Sequence, residues 1–223
     1  MKILITGASK GIGFESAKLF ASLGNQVLAV SRNSDKLFEL TKFDVTTFSF
    51  DLSNDDYTNL IKKVKSFGKI DVLINNAGVL VNKTFTETSN ADLLQMYKVN
   101  VFAPFRLVRD LLPYFSNQSH TVNISSVGGV QGSVKFSGLS AYSSSKGALT
   151  ILTECLAEEF KETKHRFNAL AIGAVQTEML EKAFPGYKAP LSSKEMAKYL
   201  VRFALEDGLY YNGKVLNVSS STP

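Results

Sequence analysis

Seven short apolar runs, separated by longer stretches with helical spacing, restrict the fold of this chain more than any other feature. The runs are Lys2–Thr6, Gln26–Ser31, Thr46–Phe50, Ile70–Asn75, Thr121–Ser125, Phe167–Ile172 and Lys214–Val218. Strands that alternate with helices form crossover units, which build a parallel sheet with helices on both faces. Strands buried on both faces are expected to be apolar throughout, as these runs are. The sequence therefore predicts one α/β domain over residues 1–223, with a doubly wound parallel sheet of seven strands and about six helices.

The first predicted strand ends in a glycine-rich stretch, TGASKGIG, at residues 6–13. Glycines allow a sharp turn and a close backbone approach, and the helix that follows presents free N–H groups to an anion. Ligands of open parallel sheets bind just outside the carboxyl ends of the strands, where this turn lies. The turn therefore predicts a nucleotide site, although its spacing differs from the common G-x-G-x-x-G fingerprint. The predicted contacts are Gly7, Ser9, Lys10, Gly11, Ile12 and Gly13.

The end of the second predicted strand indicates which dinucleotide binds. An acidic residue that bonds a ribose 2′-hydroxyl is expected about 20 residues after the turn. Ser31 and Arg32 occupy that place instead. No carboxylate is present to repel a 2′-phosphate, and Arg32 offers a planar cation to bind one. Lys10 adds a second positive charge. Each cation alone is typical of any protein surface, but the two together favour NADP(H) over NAD(H).

The third predicted strand is followed by Asp51 and Leu52, where an adenine amino group could be bound. A single aspartate at a strand end is also a common helix cap, and Ser53 or Asn54 could serve equally as the cap. Both interpretations of Asp51 therefore stay open.

Five motifs occur in order along the chain and at compatible spacings. They are TGASKGIG, NNAG at 75–78, Asn100 within KVNVFAPF, NISSVGG at 123–129 and YSSSK at 142–146. With them the chain resembles the short-chain dehydrogenase/reductase family over essentially its whole length. The resemblance implies a single Rossmann domain with a nicotinamide cofactor, and a homodimer or homotetramer formed through helices near Ala103–Phe115 and Tyr142–Phe160. The implied catalytic group is Asn100, Ser126, Tyr142 and Lys146, and the implied further cofactor contacts are Asn76, Ala77, Gly78, Tyr142, Lys146, Val175 and Thr177.

The chain departs from the family pattern in three places. The segment between Ser126 and Tyr142 is a few residues longer than is usual, Ile172 stands where proline is common, and the ending NVSSSTP lacks the usual glycines. None of these changes touches the implied catalytic group. They affect the expected substrate and subunit packing instead.

Tyr142 and Lys146 lie four residues apart in a helical pattern, so both project from one face. A phenol with a pKa of about 10 exchanges protons poorly at neutral pH. We expect the Lys146 ammonium, with the charge of an oxidised nicotinamide, to lower the pKa of Tyr142 and make it a general acid and base. Ser126 would donate a hydrogen bond to the substrate oxygen. Ser125 competes for this role, and the family pattern favours Ser126.

Asn100 falls within a helical pattern and is followed four positions later by Pro104. Proline lacks an N–H group and clashes with the carbonyl four residues before it, so a kink at Asn100 is expected. One interpretation is a bend needed only for packing. The resemblance implies another, in which the freed carbonyl of Asn100 holds a water that links Lys146 to solvent. Both can hold together.

The segment at about 178–192, called the lid below, is expected to cover the substrate because it follows Thr177. Its apolar residues Met179, Leu180, Phe184 and Tyr187, with Lys182 and Lys188 nearby, suit a 3-oxoacyl thioester, a small ketone or aldehyde, or a pterin equally well. The expected function is hydride transfer between NADP(H) and a carbonyl or secondary alcohol substrate. The alternative is an NADP-binding sensor or scaffold with little catalytic activity.

Composition excludes several other classes of function. The net charge of +5 is scattered among acidic residues, which argues against nucleic acid as a partner. No apolar run reaches the ~18 residues that span a bilayer, and the N-terminus lacks the pattern of a signal peptide. The single cysteine, Cys155, is expected to pack as a small apolar residue and fits a reducing cytoplasm. The two histidines make no metal-binding spacing, so no metal site is expected.

Overall fold

Strands and helices alternate along residues 1–219, the part of the chain that the computed structural model describes. The strands are β1 (Lys2–Thr6), β2 (Gln26–Ser31), β3 (Thr46–Ser49), β4 (Ile70–Asn75), β5 (Phe115–Ser126), β6 (Arg166–Ile172), β7 (Val175–Gln176), β8 (Leu191–Ser192) and β9 (Val215–Val218). The α-helices are α1 (Gly11–Ser22), α2 (Ser34–Phe38), α3 (Thr58–Phe67), α4 (Asn90–Tyr97), α5 (Ala103–Leu111), α6 (Ser140–Glu159), α7 (Glu178–Ala183) and α8 (Ser193–Leu205). A membrane-spanning helix needs a longer apolar stretch than any helix within residues 1–219 provides.

Seven strands form one parallel sheet in the order β3-β2-β1-β4-β5-β6-β9, and β7 pairs with β8 in a separate parallel ladder. In β1, Ile3 and Ile5 pack in the cluster that includes α1 and α8, whereas Leu4 packs with α3 and α5 on the other face. Successive strand residues point to opposite faces, so a strand covered on both sides is apolar throughout. The predicted single-domain Rossmann fold is confirmed.

Most element boundaries agree with the sequence-based expectation, and the differences have local causes. Strand β5 begins at Phe115, six residues before the predicted Thr121. The prediction missed this early part because polar side chains at 116–118 interrupt the apolar run. The short helices α2 and α7 bring the number of α-helices in residues 1–219 to eight, above the expected six. The unusual C-terminal ending falls largely on residues 220–223, which lie outside the described residues.

The strand order places the functional loops together. After β1 the chain adds β2 and β3 on one side and then returns to place β4 on the other. Such a reversal opens a crevice outside the carboxyl ends of the strands, where ligands bind. The turns after β1, β4, β5 and β6 therefore converge on one edge of the sheet.

His120 is a buried side chain of β5 that lies outside this crevice, six residues before the strand ends. Its Nδ1 lies 3.2 Å from the carbonyl oxygen of Ala204, and its Nε2 lies 3.0 Å from Nδ2 of Asn168. A carbonyl only accepts, so Nδ1 carries the proton and Nε2 accepts from the amide. Burial lowers the pKa of His120 from 6.5 to about 4.

We expect the free energy of unfolding to fall as the pH drops from 6.5 towards 4, because the unfolded chain then binds a proton that folded His120 rejects. The gap between 6.5 and about 4 corresponds to about 3 kcal/mol. Urea unfolding at neutral pH and at about pH 4 measures this loss. His120→Asn keeps an N–H donor but does not titrate, so it should lose much less stability than wild type or His165→Asn. Equal losses in all three proteins would refute the assignment.

Candidate active site

A cavity of about 870 Å³ opens at the carboxyl edge of the sheet and brings together most of the residues singled out from the sequence. The predicted residues that line it are Gly7, Ser9, Lys10, Gly11, Ile12, Arg32, Asp51, Leu52, Asn76, Ala77, Gly78, Ser126, Tyr142, Lys146, Val175 and Thr177. Gly13 and Asn100 do not line the cavity, and both are buried behind its wall.

The turn after β1 is locked against the turn after β4. Gly7 has φ +67°, and a Cβ there would lie 2.7 Å from Cα of Ala77, so only glycine fits without displacing the neighbouring backbone. The Asn76 amide donates to the carbonyl oxygens of Thr6, at 3.0 Å, and Gly7, at 3.2 Å. A Cβ on Gly13 would collide with the same amide. Gly13 therefore permits close packing here and does not face the cavity.

The N-terminus of α1 is suited to an anion. Its N-cap residue, Lys10, makes no side-chain capping hydrogen bond, and the first turn of the helix contains no acidic residue. The first N–H groups of a helix have no partner within it, and the helix dipole favours negative charge there. These donors border the cavity at Gly11 and Ile12, so a pyrophosphate group fits this position.

The far end of the cavity, beside β2 and β3, contains Ser31, Arg32 and Asp51. The Ser31 hydroxyl donates to the Ser9 hydroxyl at 2.9 Å, which ties the glycine turn to the end of β2. Arg32 is exposed and forms no salt bridge with any residue from 1 to 219. Asp51 accepts from the backbone N–H and the hydroxyl of Ser53, at 2.9 and 2.8 Å. Asp51 therefore stabilises a turn in addition to bordering the cavity.

Tyr142, Lys146 and Ser126 meet at the end of β5. The Lys146 side chain is 3% exposed, and its Nζ donates to the carbonyl of Ile124 at 2.7 Å and lies 5.8 Å from the centre of the Tyr142 ring. The Ser126 side chain hydrogen-bonds with the Tyr142 hydroxyl. Ser125 instead donates to the carbonyl of Lys146 at 3.0 Å, so its hydroxyl braces α6. Of the two serines, Ser126 is the one in contact with the tyrosine hydroxyl.

Burial, and not Lys146, dominates the pKa of Tyr142 in this structure, and the expected lowering of that pKa by Lys146 together with an oxidised nicotinamide stays a prediction. Burial raises the pKa of Tyr142 to about 12, and the hydrogen bond with Ser126 only partly opposes it. Burial also lowers the pKa of Lys146 from 10.5 to about 8. Desolvation disfavours the charged form of each group, and it is the largest cause of both shifts. The phenol is therefore held protonated while the amine gives up its proton more readily than usual.

Asn100 supports this site through its side chain. Its Oδ1 accepts from the N–H of Val79 at 2.8 Å, and its Nδ2 donates to the Val79 carbonyl and to the Ser145 hydroxyl, both at 2.9 Å. The Ser145 hydroxyl in turn donates to the carbonyl of Tyr142 at 2.7 Å. The expected distortion before Pro104 is present as a π turn at Lys98–Phe102, a feature that is frequent at functional sites. The water-binding role of the Asn100 carbonyl stays a prediction.

The other end of the cavity is apolar. The lid and the long segment after Ser126 supply its walls, together with the loop after β4. The apolar residues are Leu80, Val134, Phe136, Leu139, Met179, Leu180, Phe184 and Tyr187. The lid residues Lys182 and Lys188 are exposed and do not line the cavity. At the base of the lid, the Thr177 hydroxyl caps α7 by accepting from the N–H of Leu180 at 3.2 Å.

Gly128 and Glu178 are among the residues that border the cavity and that sequence reasoning missed. A Cβ on Gly128 would lie 2.9 Å from the Ser143 hydroxyl, so this glycine lets the turn after β5 pack against α6. Its place two residues after Ser126 was a usable signal. Glu178 lies at the start of α7 near Gly11, and only its position directly after Thr177 could have indicated it.

Comparison with known proteins gives four informative matches. Residues 1–188 match the family model described as short chain dehydrogenase. The chain is 28% identical over 235 residues to the 3-oxoacyl-(acyl-carrier-protein) reductase of Thermotoga maritima. This alignment covers 96% of this chain and 94% of that protein. A short chain dehydrogenase structure from Escherichia coli, complexed with NADPH, is 27% identical, has a TM-score of 0.87 and covers 97% of this chain and 95% of that one. A 3-ketoacyl-(acyl-carrier-protein) reductase structure from Brucella melitensis, complexed with NADH, has a TM-score of 0.89 at 24% identity, covers 99% of this chain and 97% of that one, and shares the fold.

Proposed function

The chain belongs to the short chain dehydrogenase family, and we propose that it is an NADP(H)-dependent oxidoreductase acting on a carbonyl or secondary alcohol substrate. The observation that carries this proposal is the meeting of Ser126, Tyr142 and Lys146 on the wall of a cavity that also contains the glycine turn. A protein that only binds a nucleotide has no need of a buried amine beside a protonated phenol.

In the proposed reduction, Ser126 and Tyr142 hydrogen-bond to the carbonyl oxygen of the substrate and stabilise the negative charge that develops there. Tyr142 then donates its proton, which its raised pKa keeps in place until the oxygen becomes basic. Lys146 returns a proton to Tyr142, and its lowered pKa makes that transfer easier. When bound, the cofactor supplies the hydride that passes between the nicotinamide C4 and the carbonyl carbon.

NADP(H) is supported over NAD(H) by the charges at the far end of the cavity. Arg32 and Lys10 both line it, and the strand that ends at Ser31 has no carboxylate to hold a ribose 2′-hydroxyl. The E. coli structure that resembles this chain contains NADPH. The uncapped N-terminus of α1 would hold the pyrophosphate, and Arg32 would hold the 2′-phosphate with its guanidinium group.

Arg32→Ala should raise the Kd for NADPH by roughly 10- to 100-fold, because a charge-assisted hydrogen bond to the 2′-phosphate is lost. The Kd for NADH should change less than about twofold, since NADH has no such group. Fluorescence titration with both cofactors measures this. Lys36→Ala removes an exposed cation that does not line the cavity, and it serves as the control. An equal loss of affinity for NADH and NADPH would reject the NADP(H) assignment.

The apolar end of the cavity supports a substrate with a hydrophobic body, such as a 3-oxoacyl thioester or a hydrophobic ketone or aldehyde. The T. maritima relative is a 3-oxoacyl-(acyl-carrier-protein) reductase, which favours the thioester. A panel of these compounds, followed by the disappearance of NADPH absorbance, tests the proposed activity. Consumption that depends on the carbonyl compound supports it. Tight NADPH binding without consumption for any compound would favour the sensor or scaffold function instead.

We also propose a cytoplasmic homodimer or homotetramer. The residues around α5 and α6 expose a set of apolar and sulfur-containing side chains, namely Phe102, Phe105, Ile151 and Cys155. Cys155 was expected to be packed within the protein, and the structure contradicts this because its side chain lies on the outer face of α6. Exposed apolar residues on adjoining helices support a subunit contact.

The proposed cytoplasmic location rests on cysteine content. A single cysteine, which excludes an intrachain disulfide, supports a reducing compartment.

A further inference from the structure

Three segments enclose the apolar end of the cavity, and Asn82 lies where they meet. The first segment is the loop at 79–84 after β4, which contains Asn82 itself. The second is the long segment at 130–139 before α6, and the third is the lid. Each of them contributes apolar walls, of which Leu80, Phe136 and Phe184 are examples.

The Asn82 side chain contacts both of the other segments. Its Nδ2 donates to the carbonyl of Ala183 at 2.9 Å, at the last residue of α7. Its Oδ1 lies directly against Gly138, where a Cβ would collide with it. The neighbouring N–H of Lys83 donates to the carbonyl of Gly138 at 3.1 Å and holds the same two segments together. Gly138 has φ +81°, so both its conformation and its missing side chain suit this close contact.

The hydrogen bond from Asn82 is distinctive among those of the lid. Within residues 1–219, the other hydrogen bonds made by 178–190 stay inside the lid or reach only its base at Gln176 and Thr177. The tip of the lid is therefore tied to the opposite wall by this one side chain. A single exposed hydrogen bond is weak enough to open and close during turnover.

The contact of Asn82 with Gly138 also lies next to the start of α6, the helix that carries Tyr142. Gly138 directly precedes Leu139, which is buried, lines the cavity and accepts a hydrogen bond from the N–H of Ser143 at 2.7 Å. This contact begins the helix that carries Tyr142. A lid closed on Asn82 is thus fixed relative to the start of α6. Closure of such an apolar chamber retains the substrate and excludes water from it.

We propose that Asn82 is a positioning residue that latches the lid over the substrate. This proposal rests on the proposed function, because it assigns the apolar chamber to a carbonyl substrate. The latch acts through Ala183 and Gly138 and has no contact with the cofactor-binding turn. Its loss should therefore weaken substrate retention and leave NADPH binding as it is.

Asn82→Asp provides a sharp test, because the side chain keeps its shape but presents an oxygen to the Ala183 carbonyl in place of the N–H donor. With the best compound of the panel, KM should rise about tenfold, kcat should stay constant or increase, and the Kd for NADPH should not change. Asn82→Ala should behave in the same way. Asn117→Asp, at an exposed strand position, is the matched control and should leave all three constants unchanged.

Limited trypsin digestion tests the latch without any turnover. Lys182 and Lys188 are exposed cleavage sites within the lid, and cutting there should become severalfold faster in both Asn82 variants. This readout holds even if no carbonyl compound is reduced, so it separates failure of the latch from failure of the proposed function. An unchanged KM with unchanged cleavage would overturn the latch. A parallel loss of kcat, NADPH affinity and thermal stability would also overturn it, in favour of a purely structural role.

Discussion

Tyr142→Phe is expected to lower kcat for carbonyl reduction by about 10³-fold, because general acid catalysis by a positioned side chain contributes factors of this size. The variant keeps the aromatic ring and loses only the hydroxyl that hydrogen-bonds with Ser126. The Kd for NADPH should therefore stay within about twofold of wild type. Steady-state NADPH oxidation and fluorescence titration measure the two quantities.

Tyr187→Phe is the matched control for this change. Tyr187 lines the same cavity, but it belongs to the lid, and its side chain is about half exposed. We expect its kcat to change far less than that of Tyr142→Phe. If the two variants lost activity equally, or if Tyr142→Phe turned over at the wild-type rate, Tyr142 would not be the proton donor.

Lys146→Met should abolish most of the activity and at the same time stabilise the fold. The ammonium is 3% exposed, and its desolvation lowers the pKa of Lys146 from 10.5 to about 8. Below pH 8 both the folded and unfolded forms carry the charge, so the folded state bears the full cost of burying it. The gap between the two pKa values corresponds to about 3 kcal/mol. Methionine has a similar length and no charge, so this cost disappears.

The expected gain at pH 7 is about 2 kcal/mol, because the lost hydrogen bond to the Ile124 carbonyl offsets part of the relief. The stability of the wild type should also rise between pH 8 and 10.5, where the unfolded chain binds more protons, and the variant should lack this rise. Urea unfolding measures both effects. Lys194→Met, at an exposed position of α8, should change neither activity nor stability. A Lys146→Met protein that is less stable than wild type at pH 7 would refute the buried-charge explanation.

Much of the fold could be predicted because local pattern and tertiary environment agree. Strands such as β1 and β4 are covered on both faces, so most of their residues are apolar. The boundaries predicted for both strands from this pattern agree with the structure. The i and i+4 spacing of Tyr142 and Lys146 likewise fixed their common face, and Lys146 Nζ does lie near the Tyr142 ring. The polar beginning of β5, at Ser116 to Gln118, could not be recognised from its residues, because they are polar and lie where the register with β4 shifts between Ile70 and Val72.

The pKa values and the side-chain contacts of the site could not be predicted from the sequence in the same way. The pKa of Tyr142 depends on how completely other segments remove water from it, and residue spacing holds no information about that. The side-chain bonds of Asn100 to Val79 and Ser145 join three separate elements. Asn82 carries no local motif, and its role depends on the approach of Ala183, about a hundred residues later in the chain.

Transfer of deuterium from NADPH that carries deuterium at both C4 positions tests the central proposal most directly. The purified protein is incubated with the labelled cofactor and the carbonyl compound that it consumes fastest, and the alcohol is analysed by mass spectrometry. We expect one deuterium on the former carbonyl carbon with wild type, and at most a trace with Tyr142→Phe over the same time. An unlabelled alcohol from the wild type, or equal labelling with both proteins, would contradict hydride transfer at this site with Tyr142 as the acid.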